Sequence, residues 1–127
     1  MKKLLTACSA AICFFTTAYS AEAKPKKEII MYTTSYTYSF EEEKDVSGCV
    51  TRATIALTQH GLSSGLKAET DEDGRFGYVY GWNPDSTATA EIDCDMDGKE
   101  SNLAFSRYSD DPEGTWETWK RLRDAKW

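Results

Sequence analysis

The sequence predicts a two-layer α+β domain of order β-α-β-β-β-α, with a four-stranded, mostly antiparallel sheet, both helices on one face and one disulfide. Three observations support this prediction. Apolar residues recur at every second position in some segments and at every third or fourth position in others. Asp-Gly pairs separate neighbouring strand segments, as they do in hairpins. Outside the N-terminal segment there are two cysteines, which allow one pairing.

Residues 1–23 have the three-part pattern of a secretory signal peptide: a Lys2-Lys3 head, an uncharged run from Leu4 to Ala18, and small residues at Ala21 and Ala23. The run is about 15 residues, shorter than the roughly 20 that a membrane-spanning helix needs. The sequence Leu5-Thr6-Ala7-Cys8 resembles a bacterial lipobox, an alternative that the early position of the cysteine disfavours. We therefore expect cleavage after Ala23 and a periplasmic or secreted bacterial protein with no stable membrane anchor.

The remaining chain is expected to be a mobile linker, residues 24–28, and a single domain, residues 29–127. Cleavage removes Lys2, Lys3 and Glu22, which changes the net charge from −6 to −7. An acidic protein is a poor partner for nucleic acids and anionic membranes, so neither is expected. Cys8 and Cys13 leave with the signal, and we expect Cys49 and Cys94 to form a disulfide. Their 45-residue separation disfavours a redox pair, which usually has Cys-x-x-Cys spacing.

The N-terminal half of the domain contains one strand and one helix. Residues 29–40 alternate in the manner of a strand. Residues 42–60 carry a helical stripe at spacings of three and four, with Ser39 and Glu42 as a capping box and Gly61 as the left-handed residue after the helix. The stripe consists of Val46, Cys49, Val50, Ala53, Ala56 and Leu57. A disulfide to Cys94 places this stripe against the Cys94 face of the sheet.

Four further segments have strand character, at 66–71, 75–82, 87–96 and 99–108. With the first strand they make five, one more than the four strands of the predicted order. The pairs Asp73-Gly74 and Asp97-Gly98 predict hairpins. A two-residue turn at Asp97-Gly98 aligns two apolar faces, as expected for a correct register. It sets Cys94 opposite Ser101, Ile92 opposite Leu103 and Ala90 opposite Phe105.

The sequence Asp110-Asp111-Pro112-Glu113 is typical of a helix start, with an acidic N-cap and proline at the first position. We predict a second helix from there to about Lys126. Its spacing makes Trp116 and Trp119 core anchors, whereas Trp127 is expected to be partly exposed.

One strand has aromatic residues on one parity and small residues on the other. The aromatic residues are Phe76, Tyr78, Tyr80 and Trp82, and the others are Gly77, Val79 and Gly81. A four-residue loop at 83–86 puts Trp82 opposite Thr87 and the small residues beneath the first helix. A loop one residue longer or shorter puts the rings in the core. We favour the first register, which leaves the rings on the helix-free face.

On that face the rings would lie beside Glu91, Asp93 and Asp95, and we predict these seven residues as a binding surface. The row of Tyr32, Tyr36, Tyr38 and Phe40 in the first strand fits either register. Residues 93–98 match the first half of a calcium loop, but Ala104 occupies the position of the bidentate glutamate. No metal or cofactor is therefore expected, although a weak cation site at Asp93, Asp95 and Asp97 stays open.

Catalytic chemistry has little support in the sequence. His60 is the only histidine, and it lies at a helix end, where the dipole favours a cation. No catalytic residue is therefore predicted, although abundant carboxylates leave a small hydrolase open. We expect a non-catalytic exported binding protein of the inhibitor or immunity type, whose partner is another protein with a basic surface. The alternatives are a carboxylate-dependent periplasmic hydrolase and a structural envelope protein, with a homodimer through the sheet as one form of the latter.

Overall fold

The structure is a computed structural model that describes residues 23–37, 46–125 and 127. Two helices and one antiparallel sheet form an α+β fold, as predicted, but the sheet has five strands rather than four. The elements are β1 (Glu28–Thr37), α1 (Val46–Gln59), β2 (Ser64–Thr70), β3 (Phe76–Trp82), β4 (Ala88–Asp95), β5 (Glu100–Ser109) and α2 (Pro112–Asp124). The predicted signal peptide up to residue 22, the Ser39–Glu42 capping box, Tyr38 and Phe40 lie outside the described residues.

The sheet has the strand order β1-β5-β4-β3-β2, with every neighbouring pair antiparallel. Strands β2 to β5 form a meander of consecutive hairpins, and β1 closes the sheet beside β5. Strand β2 pairs with β3 and forms the edge opposite β1. The predicted β4–β5 register is confirmed, with Cys94 opposite Ser101.

Helix α1 buries the stripe that the sequence predicts. It ends in a Schellman motif, in which the Leu62 amide donates to the Leu57 carbonyl at 2.9 Å and Gly61 has a φ of +74°. Cys49 is bonded to Cys94, with the two Cα atoms 6.2 Å apart, so the predicted disulfide is present.

Glycines on β3 let α1 and its C-terminal turn lie close to the sheet. A Cβ atom at Gly77 would lie 2.6 Å from Val50 Cγ2, and one at Gly81 would overlap the Leu62 carbonyl oxygen. Both positions are buried. The small parity of β3 is therefore the face beneath α1, and the aromatic parity points to the other side of the sheet.

The predicted β3–β4 register is wrong by two residues, because Trp82 lies opposite Thr89 and not Thr87. The pairing extends to Asn83. Its backbone N–H donates to the Ala88 carbonyl, and its side-chain Oδ1 accepts from the Ala88 backbone N–H. The four-residue loop is thus 84–87. A shift of two keeps every side chain on its face, so the predicted facing of the rings is unaffected.

Helix α2 packs on the same sheet face as α1 and completes the core. Asp111 is its N-cap and accepts a hydrogen bond from the Gly114 amide at 2.9 Å. Trp119 is buried as predicted, but Trp116 is 39% exposed because it lies over Trp119 and Tyr32 at the outer side of the helix. The expectation for Trp127 is also wrong, since it is 6% exposed.

Trp127 can be buried because its indole N–H has a hydrogen-bond partner inside the protein. Its Nε1 donates to the Ser101 hydroxyl at 3.2 Å, and its ring meets Tyr36 edge-on. Tyr32 and Tyr36 of β1 therefore belong to the helix side of the sheet and are not part of the aromatic surface on the opposite face.

Candidate functional site

The helix-free face of the sheet carries a row of four aromatic rings on β3, which we call the aromatic wall: Phe76, Tyr78, Tyr80 and Trp82. Tyr78 and Tyr80 are stacked with an interplanar angle of 2° and a centroid distance of 5.9 Å. The Trp82 ring meets Tyr80 edge-on at 5.2 Å, and Phe76 is tilted against Tyr78 at 6.4 Å. Phe76 is 41% and Trp82 37% exposed, while the two tyrosines are half-buried. The rings thus support one another while presenting apolar surface to solvent.

Edge strand β2 holds the aromatic wall from one side. The Tyr78 hydroxyl donates to Glu69 Oε2 at 2.5 Å, and the Lys67 ammonium lies 2.5 Å from Glu69 Oε1. The hydrogen bond to Glu69 raises the pKa of Tyr78, and the bond to Lys67 lowers the pKa of Glu69. Gly65, with a φ of +57°, lies against the Trp82 ring, since a Cβ there would approach the ring to 3.1 Å. The wall is therefore held in a defined orientation before any partner binds.

Strand β4 places a row of acids next to the aromatic wall. Asp95, Asp93 and Glu91 lie opposite Phe76, Tyr78 and Tyr80, respectively. Burial, followed by the charge of Glu91, raises the pKa of Asp93. Within the described part of the chain, none of the three carboxylates forms an ion pair.

The three aspartates of the partial calcium-loop match lie in three different environments. Asp95 Oδ1 accepts a hydrogen bond from the Gly98 amide at 2.9 Å within the β4–β5 turn, and Asp97 pairs with Arg75. Asp93 points instead toward the open face of the sheet, where it lines a depression. Among the residues that the structure describes, no group of three or more Asp, Glu, His or Cys side chains is arranged to hold a metal ion.

Beyond the acids, the helix-free face forms a trough of about 450 Å³. Glu91 and Asp93 stand on one side, and Thr33 and Ser35 of β1 stand on the other. Its remaining lining residues are Thr34, Asn102, Leu103 and Ala104. Ala104 lies between Glu91 and Thr33 in the strand pairing, and its small side chain leaves the depression open.

A smaller depression of about 110 Å³ shares Glu91 and Ala104 with the trough and extends it toward Met31. Met31 is 65% and Ile29 73% exposed, and Tyr108 lies opposite Ile29. The same face thus combines the aromatic wall, an acidic row, a polar trough and an apolar corner.

No protein-family model, curated protein or solved structure matches this chain.

All seven residues predicted as a binding surface lie on this face, on two adjacent strands. Sequence reasoning missed the far side of the trough, namely Thr33, Ser35, Asn102 and Ala104. Asn102 and Ala104 lie opposite Asp93 and Glu91 in the predicted β4–β5 register, which could have identified them. Thr33 and Ser35 reach the acids only because β1 pairs with β5, and nothing in a single sequence indicates that two strands 63 or more residues apart are neighbours. That the face binds a partner stays a prediction.

The environment of His60 opposes the effect expected from the helix dipole, which favours the charged form of a histidine at a helix C-terminus. Partial burial and the nearby charge of Arg121 lower the pKa of His60. His60 follows α1 in the helix layer, whereas the trough opens on the opposite face of the sheet.

Two observations bear on the compartment. The Cys49–Cys94 disulfide is consistent with an oxidising, extracellular environment. In the described ranges, no helix has the length and apolar character required to cross a membrane.

Proposed function

We propose that this protein is an exported, non-catalytic binding protein whose helix-free sheet face binds another protein with a basic surface. An inhibitor or immunity-type role fits this proposal best, because such proteins act by covering a surface rather than by chemistry. The signal-peptide pattern of residues 1–23 and the disulfide support export to the periplasm or the medium.

The observation that carries the proposal is the aromatic wall on a sheet face that neither helix covers. Tyrosine and tryptophan are enriched among the residues that contribute most to binding energy, since they bury much area with few rotatable bonds. Contiguous apolar patches on small monomers usually mark interaction sites. The adjacent acidic row favours a basic partner, because complementary charge accelerates association and excludes acidic competitors.

The first experiment tests the aromatic wall directly. The double variant Tyr78→Ala/Tyr80→Ala should lose capture of the partner from periplasmic or secreted extract, and the partner identified with the wild-type protein should then fail to bind the purified variant in calorimetry. Truncation removes three ring contacts, each worth about 0.5–1.5 kcal/mol, and the Tyr78–Glu69 hydrogen bond. Because both tyrosines are only half-buried and lie outside the core beneath the helices, the domain should lose stability but stay folded, which circular dichroism checks. Ile55→Ala, which removes an exposed apolar side chain from α1, is the matched control and should bind normally. Retained binding by the folded double variant would contradict the proposal.

A carboxylate-dependent hydrolase is the second candidate, because Asp93 has a raised pKa and lines an open trough with Glu91. Both carboxylates lie on the same strand two residues apart, and a hydrogen bond between them contributes to the raised pKa. Glycoside hydrolysis instead needs two carboxyl groups about 5–9.5 Å apart, on opposite sides of a scissile bond. Purified wild-type protein that cleaves a glycoside or ester substrate, with loss of that activity in Asp93→Asn, would favour the hydrolase.

A homodimer through the sheet is the third candidate, and strand β1 favours it. The strand forms one edge of the sheet and carries no charged residue between Ile29 and Thr37. Uncharged, regular edge strands are templates for pairing with another chain. Light scattering at micromolar to millimolar concentration distinguishes a monomer from a dimer, and Met31→Lys should dissociate a dimer of this kind.

A further inference from the structure

The carboxylates of Glu91 and Asp93 form a negative site without a compensating cation among the described residues. Each of the four ion pairs on the described surface involves other acids. The two residues lie on the same face of β4, with their backbone positions about 6.6 Å apart along the strand, and a hydrogen bond joins their carboxyl groups. Burial and the Glu91 charge disfavour ionisation of Asp93. A cation placed beside both groups would relieve their repulsion.

The opposite side of the trough supplies further hydrogen-bond acceptors. Thr33 and Ser35 carry hydroxyl groups, and Asn102 carries a side-chain amide. The Ala104 methyl lies between the two sides, whereas the Leu103 side chain is buried in the core on the other face of the sheet. A ligand that fits has several divergent N–H donors around a flat, weakly hydrated body and an apolar stem.

We propose that the trough receives an arginine side chain from a basic segment of the protein partner, an inference that rests on the proposed binding function. A guanidinium group has five donors in a planar fork and can address two carboxylates and neighbouring hydroxyl groups together. A lysine ammonium has three donors and is more strongly hydrated, so desolvation in a half-buried trough costs it more. The arginine stem would lie over Ala104, as long basic side chains do on apolar surface.

This arrangement also explains how the acidic row and the aromatic wall act together. Tyr80 and Tyr78 lie directly across the strand pair from Glu91 and Asp93. Partner residues that flank the arginine would therefore reach the aromatic wall on one side and the Met31 corner on the other. The net charge of −6 adds attraction at long range for a basic segment.

The experiment uses oxidised protein expressed from the full sequence and a capped nine-residue peptide of alternating arginine and glycine. Binding is measured by calorimetry in about 50 mM salt, where screening is weak. Matched peptides carry lysine or citrulline in place of arginine, since citrulline keeps the shape of the side chain and removes its charge. The test variant is Glu91→Gln/Asp93→Asn. The control variant, Asp110→Asn/Glu113→Gln, removes the same two charges at the start of α2, beyond the trough.

The arginine peptide should bind the wild-type protein at least about tenfold more tightly than the citrulline peptide and more tightly than the lysine peptide. Glu91→Gln/Asp93→Asn should weaken it by about tenfold or more, the range expected for charge-assisted hydrogen bonds. The control variant should stay within about threefold. Amide chemical-shift changes in a labelled sample should centre on Glu91, Asp93, Asn102 and Ala104.

Equal binding by wild-type protein and Glu91→Gln/Asp93→Asn would overturn the arginine site, and so would equal binding of the arginine and lysine peptides. The proposed binding face is judged separately. If the natural partner still depends on Tyr78 and Tyr80 but not on Glu91 and Asp93, only the arginine site fails. If Tyr78→Ala/Tyr80→Ala keeps the partner, the proposed function fails.

Discussion

Reduction of the Cys49–Cys94 disulfide should destabilise the domain by about 4 kcal/mol. The bond closes a segment with a sequence separation of 45. In the chain-entropy treatment, closing this loop lowers the entropy of the unfolded chain by about 13 cal/mol/K, which corresponds to about 4 kcal/mol of stability at 25 °C. For a domain of this size the melting temperature should fall by about 15–30 °C. Since domains have stabilities of about 5–15 kcal/mol, the reduced protein should be marginally folded.

Urea unfolding of oxidised and reduced wild-type protein measures this difference without substituting any residue. Cys49→Ala/Cys94→Ala should lose about 1–2 kcal/mol more, because both cysteines are buried and the lost sulfurs leave small cavities. A difference below about 1.5 kcal/mol between oxidised and reduced protein would refute the reasoning. It would mean that residual structure already restricts the reduced, unfolded chain, so that the bond removes little further entropy from it.

Three further predictions concern the fold and the trough. Gly81→Ala should lower the free energy of unfolding in urea by about 2–3 kcal/mol, because its Cβ would overlap the Leu62 carbonyl oxygen and a backbone atom cannot rotate away. An unchanged urea midpoint would show that the C-terminal turn of α1 lies farther from the sheet. Asp111→Ala should cost about 1 kcal/mol through loss of the N-cap bond, measured in the same way, and Asp111→Ser should recover most of it. Asp93→Asn should raise the melting temperature at pH 7 but not at pH 3. Burial and Glu91 raise the pKa of Asp93, so its ionisation costs stability only as the pH rises through that pKa. A lower melting temperature of the variant at pH 7 would show that the ionised carboxylate is stabilised.

Local patterns were sufficient for most elements of the fold. The α1 stripe, the start of α2 and the β4–β5 register follow from spacing, capping and turn residues, all of which act within a few positions along the chain. The facing of the aromatic wall was also predicted, because small residues on one parity of β3 indicate a helix on that side. An error of two in the β3–β4 register did not change this result, since side chains alternate with a period of two.

The errors share a different cause. Trp127 was expected to be partly exposed, and only its contacts with Ser101 and Tyr36, distant in sequence, make burial favourable. Trp116 shares the helical spacing of Trp119, but the core does not extend beneath it. Strand count and order likewise depend on pairings between distant segments, which hydrophobic periodicity does not encode.

By itself, the sequence determined the class of fold, the disulfide and the composition of the aromatic and acidic rows. These properties depend on the period of apolar residues, on the number of cysteines and on which side chains share a strand. Tertiary structure alone decided that β1 lies beside β5, so that Thr33 and Ser35 face Glu91 and Asp93 across Ala104 and Asn102, respectively. The physical reason is that a trough is a property of neighbouring strands, and the neighbours here come from opposite ends of the domain.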